Sequence, residues 1–115
     1  MPTPAPLSPS RTVGDLVFLS GVVPRDATGL PSTGDVAEQT HTVLRTLSGV
    51  LEAAGSSLAD VCRVGVYLSD LDEDFEAFNA VYVQYFTAPF PARTTIGARP
   101  RGVRVEIDAI AVRHG

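Results

Sequence analysis

The sequence contains no lysine; all nine of its basic residues are arginine. Catalysis through a lysine Schiff base is therefore excluded. Cysteine is almost as scarce, with Cys62 alone, so no disulfide can form within the chain, and a lone thiol fits a reducing compartment. Histidine occurs only at His41 and His114, and neither C-x-x-C nor H-x-x-x-H spacing is present, so no metal site is expected. Neither G-x-G-x-x-G nor G-x-x-x-x-G-K occurs, which removes the usual phosphate loops, and no G-x-S-x-G elbow offers a serine nucleophile. No apolar stretch reaches the roughly 20 residues that span a bilayer. Residues Met1 to Ser10 have neither the basic start nor the apolar run of a secretory signal. A cytoplasmic protein without a cofactor is the expectation.

What is present is an ordinary globular composition: 115 residues, 44% hydrophobic and 19% charged. That length makes one domain with one real core. We read residues 1–10, rich in Pro and Ser, as a flexible lead-in and residues 11–115 as the single domain. The formal net charge of −4 argues against a general polyanion binder, whose affinity comes from many phosphate contacts by basic side chains. Charge is unevenly placed, however. Arg93, Arg99, Arg101, Arg104 and Arg113 crowd the carboxyl-terminal end, behind an acidic run of Asp70, Asp72, Glu73, Asp74 and Glu76. This asymmetry fits two solvated faces, or a local anion site near the last strands.

Along the chain, Arg11 to Gly21 reads as a tight hairpin turning at Gly14-Asp15, with Leu16 to Leu19 an apolar run buried on both faces. Asp35 and Glu38 form a capping box, followed by helically spaced Val36, Val43, Leu44, Leu47, Val50 and Leu51 up to Gly55. Val61 to Leu68 alternates as a strand. A second helix over about 72–86 spaces Phe75, Phe78, Tyr82, Tyr85 and Phe86 on one side and places acids at its positive end. Two strands follow, 93–96 and 103–112. The order β-β-α-β-α-β-β predicts an α+β domain, a mixed sheet with two helices on one face. Those helices cover one sheet face only, yet Leu16 and Phe18 point one way and Val17 and Leu19 the other, so the second apolar face must find cover elsewhere and a homo-oligomer is expected.

Candidate chemistry narrows by the same reasoning. His41 reads as a solvated neighbour of Glu38 and Arg45, His114 as frayed and Cys62 as a small core residue. The carboxyl-terminal third is richer. Arg93 follows a Pro-stiffened loop into its strand, and Arg104, Glu106 and Asp108 are spaced to share one strand face. An arginine so placed is a surface ion pair, or else a fork that grips a small carboxylate through two parallel hydrogen bonds. Glu106 could then orient a water or accept a proton.

The segments Arg11 to Gly21, Leu51-Glu-Ala-Ala-Gly-Ser-Ser57, Val66-Tyr-Leu-Ser-Asp-Leu71, Phe78-Asn79-x-x-Tyr82, Pro91-Ala-Arg93-Thr and Val105 to Arg113 together resemble the RidA (YjgF) family of enamine/imine deaminases. The resemblance spans about residues 11 to 113. It implies a chorismate-mutase-like fold, a homotrimer with sites in clefts between protomers, and cofactor-free hydrolysis of 2-aminoacrylate and related imino acids to 2-keto acids and ammonia. By motif, Arg93 matches the arginine that binds the substrate carboxylate and Glu106 the acid that positions water. Ser20, Gly21, Asn79 and Thr95 match residues bordering the pocket, Thr95 standing where many members have cysteine. Two positions depart from the pattern: Ser8 replaces the pocket tyrosine and Val22 the glutamine after Ser-Gly, so the expected pocket rim is altered. Three other functions stay open on sequence: a non-catalytic trimer that binds small carboxylates such as keto acids, an endoribonuclease, and a chaperone-like oligomer. For the nuclease, no histidine pair is spaced for acid–base cleavage. Neither a membrane nor a nucleic-acid partner is expected.

Overall fold

The computed structural model describes residues 4–114. Strands β1 (Ser10–Val13) and β2 (Leu16–Val22) form an antiparallel hairpin. Its two-residue turn puts Gly14 at φ +58°, a conformation the missing Cβ makes accessible. Helix α1 (Val36–Ala53) starts at Asp35, whose side chain accepts from the Glu38 amide at 2.9 Å, as the capping box predicts. A short 3₁₀ turn, Leu58–Asp60, leads into β3 (Val61–Leu68). Helix α2 (Leu71–Tyr82), β4 (Ala92–Gly97) and β5 (Val105–Val112) complete the fold. The sheet order is β1-β2-β5-β3-β4; every neighbouring pair is antiparallel except β3 and β4.

Both helices lie on one face of this sheet, as the pattern of apolar residues requires. Leu44, Leu47 and Leu51 of α1 and Phe78 of α2 are fully buried against Val17, Val64, Val66, Ile107 and Ala111. Each such side chain contributes roughly 1.5–3 kcal/mol through removal from water. The opposite sheet face is open: Leu16 and Phe18 are each 40% exposed and Val13 60%. Leu16 to Leu19 is therefore buried on one side only within the chain. No described helix is long and apolar enough to cross a membrane.

Helix α2 ends four residues before the expected Phe86. Beyond Tyr82 the backbone tightens into turns, with Gln84 N–H bonded to Val81 O and Tyr85 N–H to Tyr82 O, three residues apart. The periodicity survives the change, because Phe86 still stacks on Tyr82 with centroids 4.6 Å apart. Three single-residue expectations are also corrected. Cys62 is exposed rather than in the core, since β3 bulges between Val61 and Arg63, and its thiol points at the Ile110 carbonyl, 3.2 Å away. His41 bonds the Tyr85 hydroxyl at 2.7 Å instead of standing solvated between Glu38 and Arg45. His114 is held by Asp60 at 2.8 Å and by a backbone bond to Gly55, not frayed.

Candidate functional site

Arg93 projects from β4 toward α2. Phe75, Phe78 and Tyr82 recur on the α2 face turned to β4, and the guanidinium carbon lies 5.9, 5.4 and 4.7 Å from their ring centroids. The ring faces are negative, so they hold a cation in place without neutralising it. Among the described residues the ion pairs are Arg104–Asp74 and His114–Asp60, and neither includes Arg93. The Tyr82 hydroxyl is buried beside the guanidinium without a well-directed hydrogen bond; burial raises its pKa and Arg93 pulls the other way. Arg93 is thus a fixed, unneutralised cation, not the surface ion pair an arginine at the start of a strand commonly makes.

A cavity of about 250 Å³ opens beside it, lined by Asn79, Tyr82, Val83, Phe90, Pro91 and Arg93. Its wall is largely apolar, with the guanidinium and the Asn79 amide as polar handles, the makeup of a small-ligand site. Arg93 and Asn79 are therefore brought together. Thr95 sits two residues further along the same face but lines a neighbouring hollow with Asp72, Glu73 and Glu76, a surrounding unfavourable to an anion.

Glu106 is on the other face of the sheet. The register aligns Arg93 with Val64 and Val64 with Ala109, so Arg93 shares the helix side with Ala109, while Glu106 and Asp108 alternate to the open side. Within one chain Arg93 and Glu106 do not meet. Ser20 and Gly21 stand with Glu106: β2 bulges between Leu19 and Val22, setting both residues opposite Asp108. Bulges commonly re-aim side chains beside active sites. The Ser20 hydroxyl donates to the Ser8 carbonyl at 2.6 Å, which commits its proton and leaves its lone pairs free.

The open face holds a second carboxylate arrangement. Tyr67, opposite Glu106 across β3 and β5, donates its hydroxyl to Asp108 Oδ2 at 2.9 Å, and this bond raises the pKa of the phenol. Burial, then the neighbouring Asp108 charge, raises the Glu106 pKa above the ordinary glutamate range. Arg104, spaced in the sequence to share this face, does not: it lies just before β5 and forks onto Asp74 of α2 through two 2.9 Å bonds. The buried Asp74 carboxylate captures it before the strand alternation begins. Among the described residues no group of three or more His, Cys, Asp or Glu is gathered as a metal would need.

Neither the aromatic cradle nor the Tyr67–Asp108 bond is among the features expected from sequence. The signal for the cradle is the i, i+3, i+7 spacing of Phe75, Phe78 and Tyr82, a pattern that by itself denotes one side of a helix and no more. The bond depends on cross-strand register, which side-chain alternation alone does not fix.

An α+β sheet with two helices on one side, an arginine on an aromatic bed and an acid beside a β2 bulge define the class. The chain belongs to the endoribonuclease L-PSP family, also called RidA or YjgF: the family model of that description matches residues 1–113. A RutC family protein of Pyrococcus horikoshii is 41% identical over 112 residues, covering 95% of this chain and 88% of its own. The human 2-iminobutanoate/2-iminopropanoate deaminase is 35% identical over 111 residues, covering 94% and 80%. The crystal structure of a putative endoribonuclease from Thermotoga maritima superimposes with a TM-score of 0.89 at 41% identity, covering 97% of this chain and 90% of that one.

Proposed function

We propose that the protein is an imine deaminase that hydrolyses small 2-imino acids to 2-keto acids and ammonia. The observation that carries this reading is the unneutralised Arg93 guanidinium, bedded on three rings at the edge of a small cavity. Its fork binds the substrate carboxylate bidentately. Because Arg93 and Glu106 lie on opposite sheet faces, the complete site is formed between copies, the Arg93 cavity of one protomer meeting the Glu106 face of the next. A trimer with three such clefts closes this arrangement. Glu106 accepts a proton from water as the oxygen attacks the carbon of the protonated imine, giving a neutral carbinolamine; Glu106 returns the proton to the nitrogen, the carbon–nitrogen bond breaks, ammonia leaves, and the hydroxyl gives up its proton to water as the keto group forms. Imines already hydrolyse in water, so positioning and modest electrostatics suffice. The name of the human relative supports this substrate class.

The test follows ammonia release from imino acids generated in situ by an amino-acid oxidase. Arg93→Ala should reduce the acceleration roughly ten- to hundred-fold, matching the ~1.5–3 kcal/mol of a hydrogen bond to a charged group, with the fold intact. Arg93→Lys should also fail, because a point charge cannot replace the fork. Full activity in Arg93→Ala refutes the assignment. A second reading, a trimer that only binds small carboxylates, is favoured by the lack, among the described residues, of an ion pair to Arg93. Calorimetry with 2-ketobutyrate separates the two: heat without turnover selects the binder. A nuclease is disfavoured, since His41 and His114 are engaged separately with Tyr85 and Asp60.

A further inference from the structure

β5 lies between β2 and β3, and its two open-face carboxylates lean away from one another. Asp108 reaches over Gly65 of β3, where an added Cβ would overlap its Oδ1 and stand 3.1 Å from its Cγ and 3.0 Å from the Tyr67 hydroxyl. Glu106 reaches the opposite way, over Gly21 of β2. A Cβ there would overlap its Oε2 and lie 2.9 Å from Cδ and 3.2 Å from Cγ. The backbone does not require glycine at this position: among the described residues positive φ is confined to Gly14, Gly29, Gly55 and Gly102. The two acids also differ in their partners. Asp108 accepts the Tyr67 hydroxyl, whereas no hydrogen bond among the described residues ends on Glu106.

We propose that Gly21 is a positioning residue of the deaminase site: its missing Cβ is the seat of the Glu106 carboxylate, which keeps that acid apart from Asp108 and open to a ligand. The proposal rests on the role given to Glu106 above. A methyl at Gly21 is accommodated by moving the flexible end of Glu106 alone, so the fold survives while the acid is evicted. The titratable groups sharing this face are Asp108 on its own strand, Tyr67 and Arg63 from β3 and Arg11 from β1, and of these only the Asp108 charge bears on Glu106; β2 supplies none, and Arg25, which borders the hollow beside Gly21, is turned to donate to the Gly29 carbonyl at 3.1 Å. Arg63 is turned toward Thr94, its guanidinium 3.4 Å from that hydroxyl. The evicted acid therefore moves toward Asp108, and like charge raises its pKa further.

The experiment measures Gly21→Ala in two ways. Carbon-13 NMR titration of the Glu106 side-chain carboxyl should show its pKa rise relative to the unsubstituted protein, with unchanged circular dichroism and oligomeric state. In the imine assay kcat should fall about tenfold with KM little changed, and Glu106→Asp added to Gly21→Ala should recover several-fold activity, since the shorter acid clears the methyl. An unmoved Glu106 titration overturns the proposal. So does an equal loss from Gly21→Ala in a Glu106→Gln background, which would mean that Gly21 acts independently of the acid. If instead the titration moves but Glu106→Gln keeps full activity, the seat stands and the catalytic role assigned to Glu106 falls.

Discussion

Asp74 is buried and its charge is met by the Arg104 fork, so the two partners are not equivalent under mutation. Arg104→Ala leaves a carboxylate unpaired in the interior and should cost roughly 2–3 kcal/mol, read as a lower urea midpoint at unchanged m-value; Asp74→Ala leaves a partly exposed guanidinium and should cost less. Glu106 shows the opposite economy. Its raised pKa means that the native chain binds the proton more tightly than the unfolded chain. Its contribution to stability is thus fully present below the ordinary glutamate pKa and lost as pH rises through the elevated value. Glu106→Gln should remove this pH dependence from the melting temperature as pH rises above the ordinary glutamate range. In the reaction proposed above, the same ionisation would set the acid limb of the pH–rate profile, which should lie above the ordinary glutamate range and disappear in Glu106→Gln.

At the scale of elements, α1 depends on both its cap and its apolar stripe. Asp35→Ala should cost about 1 kcal/mol and Leu47→Ala about 2–5 kcal/mol in chemical denaturation, the first a lost cap and the second a cavity. Such elements were legible in the chain because their signals are local. Asp35 and Glu38, the Gly14-Asp15 turn and the Val64-Val66-Leu68 alternation each lie within a few residues of one another. Arg104 was misplaced because its partner, Asp74, is distant in sequence and its capture precedes the strand. Cys62 was misplaced because one bulge residue inverts the face that alternation assigns. For the site, residue types at Arg93 and Glu106 carried a family resemblance, but their separation onto opposite sheet faces depends on register across three strands. No single segment contains that information.

For the molecule as a whole, the open sheet face makes association testable. Phe18→Asp places a charge where apolar cover is required and should shift the protein toward monomers in analytical ultracentrifugation at micromolar concentration. If the site is shared between copies, imine hydrolysis should be lost in the same preparation, although Arg93 and Glu106 are untouched. The strand order carries a consequence for synthesis. Before Val105–Val112 has been made, β2 and β3 have nothing between them, and the nascent polypeptide holds a hairpin and a parallel pair that cannot join. Both would present raw edges and greasy flanks to their surroundings. The latch for the whole architecture is therefore translated after everything it fastens, and premature termination ahead of it should yield an insoluble product, not a weakened fold.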